Sequence, residues 1–161
     1  MNMHDPVVSN TTPLITFAEL GLLDVLRVLY VEIWIPAAVL SEYLAGIASH
    51  PLRPPLSAFT WISVHVAPPD PLVPSTLDAG EAEALALARA VHARLVIMDE
   101  RRGRAAARQL ELPISGSVGM LLEAKSLGLI PLVRPYLDQM KAQGRYLGPK
   151  LWSQALALAG E

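Results

Sequence analysis

Cysteine is absent from the 161-residue chain, which excludes disulfide staples, thiolate zinc sites and cysteine nucleophiles and agrees with a reducing cytoplasm. Any metal is then held by oxygen or imidazole. Also missing is a run of the roughly 18 apolar residues that a membrane helix requires, and the opening MNMHDPVV has neither the basic start nor the apolar centre of a signal peptide. Neither membrane insertion nor export is expected. No charge of one sign dominates, since 13 basic and 15 acidic residues give a formal net charge of -2, with a pI near 6.1. A polyanion partner would therefore have to be held by a local patch. Walker loops, GxGxxG turns and Gly-x-Ser-x-Gly elbows do not occur, which sets aside P-loop, dinucleotide-binding and α/β-hydrolase chemistry.

What is present suits one globular domain over residues 1–161. Hydrophobic residues make up 52% and charged residues 17%, and mean hydropathy is +0.37, too apolar for disorder. A chain of this size buries roughly 68–70% of its unfolded surface on folding.

Val7-Val8-Ser9 reads as a short strand ending at Asn10, and Pro13 sits where the first turn of a helix tolerates proline. Leu22 to Tyr30 has helical spacing, Val31 to Ile35 has the branched and aromatic content of a buried strand, and Pro36 opens a helix running to about Gly46. Seven of the fourteen prolines fall between Pro51 and Pro74, so 51–76 reads as a proline-rich connection, with Trp61 to Val66 as an edge strand. Leu77 to His92 is an alanine-rich helix, and Leu95 to Met98 is an apolar strand ending at Asp99. Glu100 to Leu110 is helical, Leu112 to Ser115 strand-like and Ser117 to Leu127 helical. A C-terminal helical extension over 131–161 holds two further helices, Leu132–Ala142 and Pro149–Ala159. Strands alternating with helices predict an α/β fold with a mostly parallel sheet covered on both faces. Ligands of such sheets bind at the carboxyl ends of the strands, here marked by Asn10, Asp99 and the Ser115-Gly116-Ser117 turn.

Asp99 is the sharpest single signal, a carboxylate after four apolar residues at a strand exit, with a helix N-cap as its plainer role. On a helical wheel Glu81 falls between Leu85 and Ala88 in the buried arc, whereas Glu83 falls outside it. A sheet-facing carboxylate needs a partner, either the helix dipole or a cation shared with Asp99. Glu42, at the edge of an apolar face, reads alone as a solvated flank residue, and Asn10-Thr11-Thr12-Pro13 as a capping turn. Arg101, Arg104 and Arg108 lie on one face of the following helix with Arg102 nearby. Arginines in a first turn oppose the helix dipole, so phosphate contact explains them better than helix stability does. The four histidines show no ligand spacing.

The segments VVSNTTPLITFAELGLLDVL, IPAAVLSEYLAG, LDAGEAEALALA, LVIMDERRGRAAARQL and ISGSVGMLLEAKSLGLI, in this order, resemble the PIN-domain nucleases. The similarity is greatest to a branch of bacterial PIN-like proteins related to the VapC toxins of toxin–antitoxin pairs. This resemblance implies a three-layer α/β/α fold with extra C-terminal helices. It also implies carboxylates at one sheet edge that bind magnesium or manganese and cleave RNA phosphodiesters. It places the four catalytic positions at Asn10, Glu42, Glu81 and Asp99, with Thr12 where the family often has Ser. Taken with the residues themselves, this leads us to expect Asn10, Glu81 and Asp99 to hold metal, Thr12 and Ser117 to support them, and Arg101, Arg102, Arg104 and Arg108 to contact the nucleic acid. A homodimer and a small antitoxin partner follow from the same likeness. Asn10 stands where active members have Asp, which removes a charge from the metal site. A catalytically silent PIN-like module acting through protein partners is the rival reading. A magnesium phosphotransferase of doubly wound fold is disfavoured, because neither Asn10 nor Asp99 opens an Asp-x-Asp motif.

Overall fold

A computed structural model describes residues 4–50 and 53–161. Residues 1–3 of the opening segment, and Pro51 and Leu52 of the proline-rich connection, lie outside the described residues. The element order is β1 (Val7–Ser9), α1 (Thr11–Glu19), α2 (Leu23–Tyr30), β2 (Ile33–Pro36), α3 (Ala37–Ala45), β3 (Ile62–His65), α4 (Ala79–Ala90), β4 (Leu95–Ile97), α5 (Arg101–Gln109), β5 (Ile114–Ser115), α6 (Ser117–Ser126), α7 (Arg134–Ala142) and α8 (Pro149–Ala159). The five strands pair in the order β3-β2-β1-β4-β5, and every pairing is parallel. The sheet expected to be mostly parallel is wholly so among the described residues.

Alternation along the strands builds two cores. Val7, Ile33, Ile35 and Ile97 enter a cluster with side chains of α1, α2, α3, α6, α7 and α8. Val8, Val96 and Met98 enter the other, with Ala84, Leu85, Leu87 and Ala88 of α4 and Ala106 and Ala107 of α5. Helices thus cover both faces, giving three α/β/α layers.

The chain runs outward from β1 to β3 at one edge, then returns to place β4 on the other side of β1. That reversal puts the carboxyl ends of β1 and β4 side by side, the point at which such sheets open a crevice. Asn10 N–H donates to the Ile97 carbonyl at 2.9 Å and Met98 N–H to that of Ser115 at 2.9 Å, so the three strand exits are tied together. Farther away, the Glu161 carboxylate accepts from the Val133 and Arg134 N–H groups at 2.7 and 3.0 Å and from Lys125 Nζ at 2.9 Å, joining α6, α7 and the end of α8. The Val133 hydrogen bond foremost brings the Glu161 carboxyl down to about 2.

Several elements differ from their expected extents by one or two residues, α7 among them, which begins at Arg134 and not at Leu132. The α4 helix begins at Ala79 because Asp78 caps it, and β5 has only two residues. Val31 does not join β2. It has φ 66 and ψ -50, and Glu32 N–H donates to the Tyr30 carbonyl at 2.7 Å, a γ-turn of the rare strained hand. A β-branched residue suffers most there, and Val31 is 76% exposed, so its side chain gains little packing in return. Glycine removes the clash at the cost of extra freedom in the unfolded chain. We expect Val31→Gly to raise stability by about 1 kcal/mol, the difference between relieved strain and added unfolded-state entropy. Urea denaturation checks this, and an unchanged or lower midpoint refutes it.

Candidate active site

Asn10 leaves β1 at the N-cap position of α1 but does not use its side chain as a cap. Instead its Nδ2 donates to Glu100 Oε2 at 3.1 Å, while the Thr12 hydroxyl donates to Glu100 Oε1. The side chain is 3% exposed, and its Oδ1 has no hydrogen-bond partner among the described residues. An amide oxygen buried without a donor carries an unmet demand for a water or a cation. The capping role considered from the sequence is therefore not the one Asn10 plays.

Asp99, two residues beyond β4, does not cap α5 either, where Glu100 holds the N-cap position. Its Oδ1 accepts from Ser117 N–H at 2.7 Å and its Oδ2 from the Ser117 hydroxyl at 2.6 Å, so it caps α6 across the sheet. Burial first, then the neighbouring Glu100, pushes the Asp99 carboxyl above its ordinary 3.8, and the Ser117 hydrogen bonds pull the other way. Gly116 keeps this approach open, since a Cβ there would lie 2.8 Å from Asp99 Oδ1.

Glu81 is 6% exposed in the first turn of α4, facing the sheet as its helical position predicts. Glu81 N–H donates to Asp78 Oδ1 at 2.8 Å and Asp78 N–H to Glu81 Oε2 at 3.2 Å, a reciprocal capping box. Its carboxyl is raised, chiefly by burial, with Asp78 and Glu100 adding like charge. Glu42 corrects the expectation of a solvated flank residue. Its Oε2 accepts from the Thr11 hydroxyl at 2.6 Å and its Oε1 from Gly80 N–H at 3.0 Å, tying the neighbours of Asn10 and Glu81 together.

The arginines of α5 separate. Arg101 and Arg102 line a cleft of about 520 Å³ with Glu81, Glu100, Thr76 and Asp78, and Arg102 donates to the Thr76 carbonyl at 2.9 Å. Arg104 turns inward to donate to the Met98 carbonyl at 2.9 Å, while Arg108 is exposed one turn on. Asp99, Glu100, Thr12 and Ser117 line a second cavity of about 550 Å³. Glu100 thus lies on both, and sequence reasoning missed it: its only signal was adjacency to Asp99.

A family model described as PIN domain matches residues 6–161. The chain belongs to the PIN-domain family. No curated protein matches it at a significant level. PIN domains are typically nucleases and generally use divalent metal ions, and the parallel sheet with acids at its carboxyl edge is the matching framework. Among the described residues no three Asp, Glu or His side chains converge into a metal-binding group. The donors nevertheless suit a hard, partly hydrated cation. Asp99, Glu100 and the orphaned Asn10 oxygen are all oxygen ligands, and Mg2+ keeps several waters beside a few carboxylates.

Asp99→Asn in metal-free protein should stabilise the fold at neutral pH. A raised native pKa means the folded state binds more protons than the unfolded one, so wild-type stability falls as pH climbs from 3.8 through the native value. Asparagine cannot ionise and still accepts from Ser117 N–H. The gain should therefore be near zero below pH 3.8 and grow as pH rises from there to 7. Melting curves in chelator across this range test it, and a variant less stable than wild type at pH 7 sinks the prediction.

Proposed function

We propose that this PIN-domain protein is a divalent-metal-dependent endoribonuclease of the VapC-like kind, cleaving single-stranded or looped RNA. The observation that supports it best is the Asn10 Oδ1 atom, buried and without a donor beside Glu100 at the crevice of the sheet. Asp99, Glu100 and that amide oxygen would hold the ion, with Glu81 reaching from the start of α4. The chemistry supplied by bound Mg2+ or Mn2+ is acidification of an attacking water and neutralisation of charge on the scissile phosphate.

The chain's own residues do the rest. Ser117 fixes the Asp99 carboxylate by two hydrogen bonds, and Asn10 and Thr12 aim Glu100. Glu42 is a positioning residue in this reading, because both its oxygens are engaged in joining Thr11 to Gly80. Arg101 and Arg102, at the outer cleft, would contact flanking phosphates, with Arg108 farther along the same helix. Arg104 serves the backbone beside Asp99. An RNA substrate, a small inhibitory antitoxin partner, a homodimer and a cytoplasmic setting belong to the same reading. No described helix is long and apolar enough to cross a membrane.

Purified protein mixed with an RNA pool and Mn2+ should cleave it, with activity abolished by EDTA, Asp99→Asn or Glu100→Gln. A folded wild-type sample that leaves the pool intact and binds no Mn2+ in calorimetry overturns the proposal in favour of a silent, partner-binding module.

Asn10→Asp tests the amide itself. The carboxylate loses the Nδ2 donor to Glu100 and adds like charge, so the metal-free variant should melt lower. Its Mn2+ affinity should rise by about tenfold or more, since an anionic ligand replaces a neutral one. Calorimetry showing no tighter Mn2+ binding would mean that Asn10 does not face the ion.

A further inference from the structure

The cavity lined by Asp99 and Glu100 is lined also by Arg53, Arg145 and Glu19, and Arg53 lines an adjoining hollow of about 550 Å³ with Glu19 and His50. Arg53 follows α3 and its short 3-10 turn, Arg145 lies between α7 and α8, and Glu19 ends α1. Both guanidinium groups share the one carboxylate: Arg53 Nη2 donates to Glu19 Oε1 at 3.0 Å and Arg145 Nη2 to Glu19 Oε2 at 3.4 Å. Two cations on one anion leave a formal charge of about +1 around Glu19, undiminished by any further ion pair among the described residues.

The donors are also in excess. Arg53 is 6% exposed, yet its Nε and Nη1 have no acceptor among the described residues, and neither has Arg145 Nε. A buried guanidinium with idle N–H groups is costly unless an acceptor arrives. The site is built to hold it. Arg53 lies over the Tyr43 ring at 5.5 Å, and the Tyr43 hydroxyl anchors the next residue by donating to the Pro54 carbonyl at 2.7 Å. Burial pushes that phenol up to about 12, so it stays a donor. Gly46 provides the opening, since a Cβ there would fall 2.3 Å from Arg53 Nη1. Arg145 is set by the end of α7, where Gly144 has φ 86, Gly144 N–H reaches the Lys141 carbonyl and Arg145 N–H the Met140 carbonyl, both at 3.0 Å. Arginine forks match phosphate oxygens in a way that a point charge does not.

We infer that Arg53 and Arg145 form a phosphate subsite that takes a non-scissile phosphodiester of the RNA strand. The inference rests on the nuclease reading for the location of the scissile bond, at Asp99 and Glu100 on the wall of the same cavity. Tyr146, 87% exposed on the rim beside Arg145, offers a ring on which the adjoining base can stack. Glu19 holds the two arginines in place while the phosphate is absent and competes with it when present.

The test is anisotropy of a fluorescein-labelled single-stranded RNA of about twelve nucleotides, a length within the range such grooves cover, titrated in EDTA over a salt series. Arg145→Gln, at a partly exposed position, should weaken binding about tenfold for RNAs of differing sequence, because phosphates carry no base information. It should also flatten the dependence of log affinity on log salt by about 0.7, the increment of one single-strand phosphate contact. Glu19→Gln should tighten binding, a gain that loss of a purely structural ion pair would not give. Arg53→Lys, which keeps the charge and loses the fork, should weaken binding less than Arg145→Gln.

Unchanged affinity and salt slope in Arg145→Gln would overturn the subsite. So would inorganic phosphate binding to wild type and not to Arg145→Gln while RNA binding is the same in both, since the ligand would then be free phosphate. Metal-dependent cleavage alongside Arg145-independent binding removes the subsite and leaves the nuclease reading standing. Arg145-dependent binding without cleavage supports the subsite and removes the nuclease reading.

Discussion

The acids at the carboxyl edge of the sheet are held by neutral donors, and most of the local architecture follows from that constraint. Glu42 takes a threonine hydroxyl and a glycine N–H, Glu81 a backbone N–H, Asp99 a serine hydroxyl and N–H, and Glu100 an amide and a hydroxyl. None of the four ion pairs among the described residues involves them. Hydrogen bonds from uncharged groups fix a carboxylate's direction without cancelling its field, so the negative potential at the crevice is left for a cation. Raised carboxyl pKa values at Asp99 and Glu81 are the electrostatic cost of that choice, and such costs concentrate where function is carried.

The glycines of the site answer to the same constraint. A Cβ at Gly80 would lie 2.4 Å from Glu42 Oε2, and one at Gly116 would press on Asp99. Neither position has a positive φ, so close approach of a carboxylate, and not backbone conformation, requires glycine in both places. The acids and the turns facing them form one packed unit.

Much of this was legible in the sequence because it obeys local rules. The β1, α3 and α8 boundaries follow from apolar runs and from prolines at helix starts, and the burial of Glu81 follows from its helical angle. Asp99 was visible because a carboxylate ends an apolar strand. What escaped was set by contacts distant in the chain. Glu100 gains its meaning from Asn10 and Thr12, about ninety positions earlier. Arg53 and Arg145 lie in connections without periodicity and meet only through Glu19. Glu42 was misjudged because its partners, Thr11 and Gly80, belong to two other helices. Val31 was read as strand from its branching, although the turn closing α2 forces it out of the ladder.

Glu100 forms a wall common to the outer cleft with Arg101 and Arg102 and the inner cavity with Arg53 and Arg145. A cation on that one carboxylate therefore lowers the negative field in both hollows at once, so the two behave as a coupled pair and not as separate pockets.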